Sequence, residues 1–116
     1  MEIQQDTIDG QVVVHLSGRI DSTAASAFEE QILEIINSGT NILVADFLNI
    51  QFISSAGLRV LLLAAKKVKP SGGKVILCNL SKDVQEVFNI SGFSTLFEIY
   101  GSVSEAVEKS HKSAGG

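Results

Sequence analysis

Along this chain the spacing of apolar residues changes period several times, and those changes outline the expected elements. "IQQDTIDGQVVVHLSG" contains Asp9-Gly10, a favoured two-residue hairpin turn, between two strand-like runs. "STAASAFEEQILEIINSG" follows, with a cap candidate at Ser22, Phe28, Ile32, Ile35 and Ile36 at helical spacing, and Gly39 as a stop. "NILVADFL" is short and almost wholly apolar, the composition of a strand buried on both faces. After "NIQFISSA", the run "GLRVLLLAAKKVKPSGG" predicts a helix with Leu58, Leu61, Leu62, Ala65 and Val68 on one face, ending where Pro70 cannot continue it. "KVILC" is a further buried-type strand. "SKDVQEVFNISG" predicts a helix capped by Ser81, with Asp83 at its positive end and Gly92 closing it. "TLFEIY" is a final strand, and Ser102 with Glu105 forms a capping box for a last helix.

The resulting order, β-β-α-β-α-β-α-β-α, is that of an α/β domain over residues 1–109, with 110–116 expected as a frayed tail. A mixed, mostly parallel sheet of four to five strands is implied, because strands joined through a helix run parallel with right-handed crossovers. The chain then leaves each parallel strand at one edge of the sheet. Three loops should gather there: Gly18 to Ser22, Leu48 to Ser55, and Asn79 to Ser81. In open α/β sheets this carboxyl edge is where binding sites lie, and the adjacent serines Ser54 and Ser55 fall on it.

Composition removes several function classes. At 116 residues with 45% apolar content the chain can bury a substantial core, but its longest unbroken apolar stretch, Val60 to Ala65, is too short for a membrane span. The first residues include Glu2, Asp6 and Asp9 without a basic n-region, and the single Cys78 leaves no intramolecular disulfide, so a cytoplasmic protein is expected. The formal charge is −4 with no block of like charge, Trp is absent and Tyr occurs once, which argues against a nucleic-acid surface.

No catalytic constellation accompanies the serines. A nucleophilic serine needs a base within reach, yet His15 lies mid-strand in the hairpin and His111 in the expected tail. "ISSAG" lacks the first glycine of the G-x-S-x-G elbow, and Lys74 of "PSGGKV" opens a strand where a P-loop needs Ser or Thr and a helix. Asp21 and Asp46 are the carboxylates available for acid-base work; Asp46 falls inside a strand run and is expected as a hydrogen-bonded residue at a strand end. Cys78 is expected as a small buried hydrophobe, and no Cys or His cluster has metal spacing, so neither an enzyme nor a cofactor or metal site is expected. Ser54 or Ser55 is the N-cap of the following helix. The same helix start, with its free N–H groups, would tolerate a phosphoryl group on a serine, changing what binds without unfolding the domain. Arg59, one of two arginines, lies in its first turn, where a cation opposes the macrodipole.

Taken in order, "GRIDSTAASAF", "VADFLNIQFISSAGLRVLL", "GGKVILCNLSKDVQEVFNISG" and "LFEIYGSVSEAV" resemble the STAS domain of bacterial anti-sigma factor antagonists, from about Ile3 to Val107. The resemblance implies a switch protein: unphosphorylated, it binds an anti-sigma factor that is also a serine kinase; phosphorylation ends the interaction; a phosphoserine phosphatase restores it. Aligning Gly57-Leu58 with the end of the family motif D-S-[ST]-G-[LI] puts Ser55 at the phosphoacceptor, with Ser54, the alternative acceptor, at the position of the Asp, and Ala56 at [ST]. Asp21 falls where the family often has an acidic residue near the acceptor, and Asp46 where it has a polar residue at a strand end. The implied partner-binding edge comprises Asp21, Ser22, Ser54, Ala56, Gly57 and Arg59. Other branches of the family keep the domain without this cycle, as stressosome scaffolds or as subunits of lipid transport complexes, and imply a constitutive structural role instead.

Overall fold

The computed structural model describes the backbone of residues 1–115 and the side chains as far as His111. Its first two strands, β1 (Glu2–Ile8) and β2 (Gln11–Ile20), form the expected hairpin, in which Ile8 pairs with Gln11. Asp9 (φ 51°) and Gly10 (φ 81°) both take the left-handed conformation that a tight turn matching strand twist requires. Helix α1 (Ala25–Asn37), strand β3 (Ile42–Ile53), helix α2 (Ser55–Val68), strand β4 (Lys74–Cys78), helix α3 (Lys82–Ser91), strand β5 (Glu98–Tyr100) and helix α4 (Val103–Gly115) follow. The five strands lie side by side in chain order; β1 and β2 are antiparallel and every later neighbour is parallel.

The two faces of the sheet are covered unequally. Helices α1, α2 and α3 bury Phe28, Ile32, Leu61, Val84 and Phe88 against the face that carries Val14, Ala45, Phe47 and Leu77. Phe88 meets Phe47 and Phe97 edge to face, at centroid distances of 6.3 and 6.1 Å. On the other face α4 contributes Ala106 and Val107 to a smaller cluster with Val13, Val44, Ile76 and Cys78. Adjacent β2 residues Val13 and Val14 thus serve different cores, which is why the central strands are apolar in both registers.

Several expectations need correction. The expected α2 face included Leu62 and Ala65, but these are only partly buried; Val60 and Ala64 take the deep positions beside Leu58, Leu61 and Val68. The last strand is shorter than "TLFEIY", because Phe93–Thr95 closes a 3₁₀ turn after Gly92 and delays the strand to Glu98. Helix α4 runs on past Lys109, where a frayed tail is expected; Ser110 is fully buried and donates to the carbonyl of Val107 at 2.6 Å. The capping box at its start is offset on its return bond: Ser102 Oγ accepts from the N–H of Glu105, as expected, but Glu105 Oε1 accepts from the N–H of Gly101 and not from that of Ser102, each at 3.1 Å. Among the described residues no helix is long and apolar enough to cross a membrane.

Candidate functional site

Strand β3 runs further toward the serines than its sequence pattern suggests. The segment from Leu48 to Ser55, expected as a loop, is strand as far as Ile53, leaving Ser54 as the only residue between β3 and α2. The parallel pairing with β2 accommodates this length through two register shifts: His15 pairs with Asp46 but Ser17 with Asn49, and Gly18 with Ile50 but Arg19 with Phe52. Each shift places an extra β3 residue opposite β2, as in a β-bulge. Ile50 and Ile53 remain in the helix-covered core, whereas Leu48 and Phe52 are left exposed.

The first shift is held by a polar network beneath the edge. Asp46, buried to 6% exposure, accepts from His15 Nδ1 at 2.7 Å, from Asn79 Nδ2 at 2.9 Å and from the N–H of Leu48 at 3.0 Å. Burial works against its ionised form, but these donors outweigh it and hold the carboxyl below the usual carboxylate range. His15 Nε2 also lies 3.6 Å from Asp6 Oδ2, so the ring bridges β1 to β3. Asp46 sits within β3, not at its end, although its pairing with Cys78 is the last between β3 and β4. Its partners make it a structural anchor for the bulge and for the Asn79–Ser81 loop.

At the edge itself the two serines have separate environments. Ser54 is the N-cap of α2: its backbone is extended (φ −85°, ψ 168°), its Oγ accepts from the N–H of Gly57 at 3.2 Å, and its own N–H donates to the carbonyl of Ile20 at 2.8 Å. Ser55 is the first residue of the helix, exposed, and its hydroxyl makes no hydrogen bond among the described residues. Gly57 is buried so tightly that a Cβ would lie 2.7 Å from Ile20 Cγ2 and 2.8 Å from Ile53 Cγ1. The helix therefore starts in close contact with the ends of β2 and β3, and that contact fixes where Ser55 projects.

Other expected edge residues divide by role. Asp21 follows Ile20, whose carbonyl binds Ser54, and its Oδ1 accepts from the N–H of Ala24 at 2.8 Å. Ser22, the expected cap of α1, does not cap it: the helix begins at Ala25, and Asp21 supplies both the side-chain and carbonyl acceptors for the preceding turn. Ser22 is exposed, Ala56 is half-buried, and Arg59 is exposed on α2. Asn79, in the left-handed conformation (φ 59°), leads to Ser81, whose Oγ accepts from the N–H of Val84 at 3.2 Å. Leu48, Leu80, Ser81, Gln85 and Tyr100 line a shallow groove of about 620 Å³ on this edge. Sequence reasoning missed Arg19 and Phe52, whose guanidinium and ring stack 4.4 Å apart, and the exposed Leu48; with β3 expected to end at Leu48, their alignment with β2 was hidden.

This architecture matches a known family. A STAS domain model covers residues 2–106. The chain belongs to the STAS domain family. BtrV of Bordetella bronchiseptica, whose name places it among anti-sigma factor antagonists, is 38% identical over 114 residues, covering 98% of this chain and 97% of that one. An anti-sigma F factor antagonist of Paenibacillus polymyxa is 27% identical over 108 residues, covering 92% of each chain. The structure of unphosphorylated SpoIIAA, itself an anti-sigma factor antagonist, superposes with a TM-score of 0.81 at 24% identity, covering 93% of this STAS chain and 95% of SpoIIAA. The phosphorylated form of SpoIIAA, a Bacillus cell fate determinant, gives 0.72 at 23% identity, covering 93% and 98%. The family and the mixed five-stranded fold are those expected from the sequence.

Proposed function

We propose that this STAS protein is an anti-sigma factor antagonist that works as a phospho-switch, with Ser55 as acceptor and a serine-kinase anti-sigma factor as partner. The observation that carries this reading is the division of labour between the two serines. Ser54 Oγ is committed to the helix cap, whereas the Ser55 hydroxyl is exposed, unbonded and fixed at the start of a helix packed on the sheet edge. The full-length likeness to BtrV supports the binding role, and SpoIIAA, which occurs in both unphosphorylated and phosphorylated forms, supports the pair of states.

The chemistry belongs to the partner's nucleotide. The Ser55 oxygen attacks the γ-phosphorus of ATP, a new O–P bond forms, the bond to ADP breaks, and the hydroxyl proton passes to a base or solvent on the partner's side. This chain supplies a positioned hydroxyl. At the same end of the sheet, Arg19 is stacked on Phe52 and Leu48 is exposed, which offers the unphosphorylated complex apolar and cationic groups beside the first turn of α2. Adding about −1.5 to −2 charges there means desolvating phosphate in a packed interface, and like-charge contact costs several kcal/mol. Each 1.4 kcal/mol weakens binding about tenfold, so one phosphate suffices to release the partner. A phosphoserine phosphatase would restore binding, and action in the cytoplasm follows from the partners.

Binding of purified variants to the anti-sigma factor captured from the native cell tests the reading. Ser55→Ala is expected to bind like the parent and gain no mass with ATP, while Ser55→Asp binds at least tenfold more weakly. If Ser55→Asp binds every captured partner as tightly as the parent, and no phosphate is found on the native protein, the switch is wrong. A stable complex unaffected by either change would instead identify a constitutive scaffold or subunit.

A further inference from the structure

Arg59 lies four residues after Ser55 on α2, so the two side chains share one helix face, with Cβ atoms about 6 Å apart. Both residues are exposed. Among the described residues Arg59 makes no hydrogen bond, ion pair or ring contact, in contrast to Arg19, whose guanidinium is stacked on Phe52. The first turn of α2 contains no acidic residue, and Arg59, the fifth residue of the helix, stands one turn in from its N-terminus without an acidic partner among the described residues. A cation this close to the positive end of a helix gains nothing from the macrodipole in the unmodified chain. It becomes favourable once an anion appears one turn earlier on the same face.

We propose that Arg59 is an internal receptor for the phosphoryl group on Ser55, closing an i,i+4 ion pair that exists only in the phosphorylated protein. The proposal rests on the assignment of Ser55 as acceptor and deepens it. The geometry suits the chemistry: guanidinium offers a planar fork to two phosphate oxygens, and the acid-before-base order along the helix is the favourable one. Ser54 does not compete, because its Oγ is already bonded to the N–H of Gly57. The phosphorylated state is then an ordered, partly neutralised helix start, and Arg59 is withdrawn from any acidic group that a partner presents to it.

Phosphoserine installed at position 55 by genetic encoding tests this without any kinase, in the parent background and with Arg59→Gln or Arg59→Lys. Titration followed by ³¹P NMR is expected to place the second phosphate ionisation about half a unit or more below its ordinary value near 6 in the parent. In Arg59→Gln it should return most of the way, with Arg59→Lys between. Thermal melting above pH 7 should show phosphorylation raising the midpoint of the parent by at least twice the gain in Arg59→Gln. The helix N–H groups are the same in all three proteins, so the difference isolates the arginine. Equal ionisation midpoints and equal thermal gains in parent and Arg59→Gln would overturn the pairing. Peptide mapping of native protein separates the underlying assumption: a phosphate found on Ser54 alone overturns the acceptor assignment and this proposal with it, whereas equal midpoints with Ser55 confirmed as the modified residue overturn the role of Arg59 only.

Discussion

Two neighbouring serines with the same side chain end up with different duties because a helix boundary falls between them. Ser54 has the extended backbone of a cap residue, and its oxygen reaches the N–H three residues on; Ser55 has entered the helix, where its hydroxyl is turned out to solvent. Removing the cap bond should cost about 1 kcal/mol. Ser54→Ala is therefore expected to lower the unfolding free energy by that amount, seen as a lower urea midpoint at unchanged slope, while Ser55→Ala stays within about 0.5 kcal/mol of the parent. Equal losses in the two variants would mean that the hydroxyls share the cap and that the distinction between them is false. The sequence alone left the cap open between these residues, since either serine satisfies the same pattern. It was the pairing of β3 with β2 as far as Ile53 that settled the helix start.

At the scale of elements, β3 was the hardest strand to read and carries most of the site. Its apolar run marked residues 41–48, but the following "NIQFI" mixes polar and apolar residues without strict alternation, because bulges shift the side chains between faces. The network of Asp46 with His15, Asn79 and Leu48 was equally hidden, since its members come from β2, β3 and the loop after β4. Asp46→Ala strands three donors and should destabilise the protein by about 3 kcal/mol in chemical denaturation. Acid should reveal the same anchor. The folded carboxyl has a lower pKa than the unfolded one, so the unfolded chain binds more protons between the two values and stability falls as pH drops below the ordinary carboxylate range. Asp46→Asn removes that contribution and should show a shallower loss of stability below about pH 5. Glu98, also held below its usual value by Lys74 and Tyr100, keeps some slope in the variant. An unchanged acid slope would show that Asp46 is not the linked group.

For the whole molecule, the alternation of strand and helix patterns was sufficient to give the layer order, but not to say which helix covers which face. Strands apolar in both registers require two covers, and nothing in the spacing of Val103, Ala106 and Val107 shows that α4 alone serves the second face. The consequence is a lopsided molecule, with three helices on one side and one on the other. The thin side holds the single cysteine: Cys78 is fully buried, and burial together with the nearby charge of Asp46 pushes its thiol up to about 12. At pH 8 it should resist a water-soluble disulfide reagent unless α4 lifts away, so labelling becomes a measure of that opening. Val107→Ala, which removes about two methyl groups from the smaller core, should raise the labelling rate at least tenfold. Ile32→Ala, in the larger core, gives a control that lowers global stability from the opposite face of the sheet. If α4 opens as a separate unit, Val107→Ala labels faster than Ile32→Ala when the two are matched in global stability. Equal rates would mean that the thin face has no opening of its own and that both cores unfold together, in which case the Ser55 edge could not be kept intact while α4 is loosened.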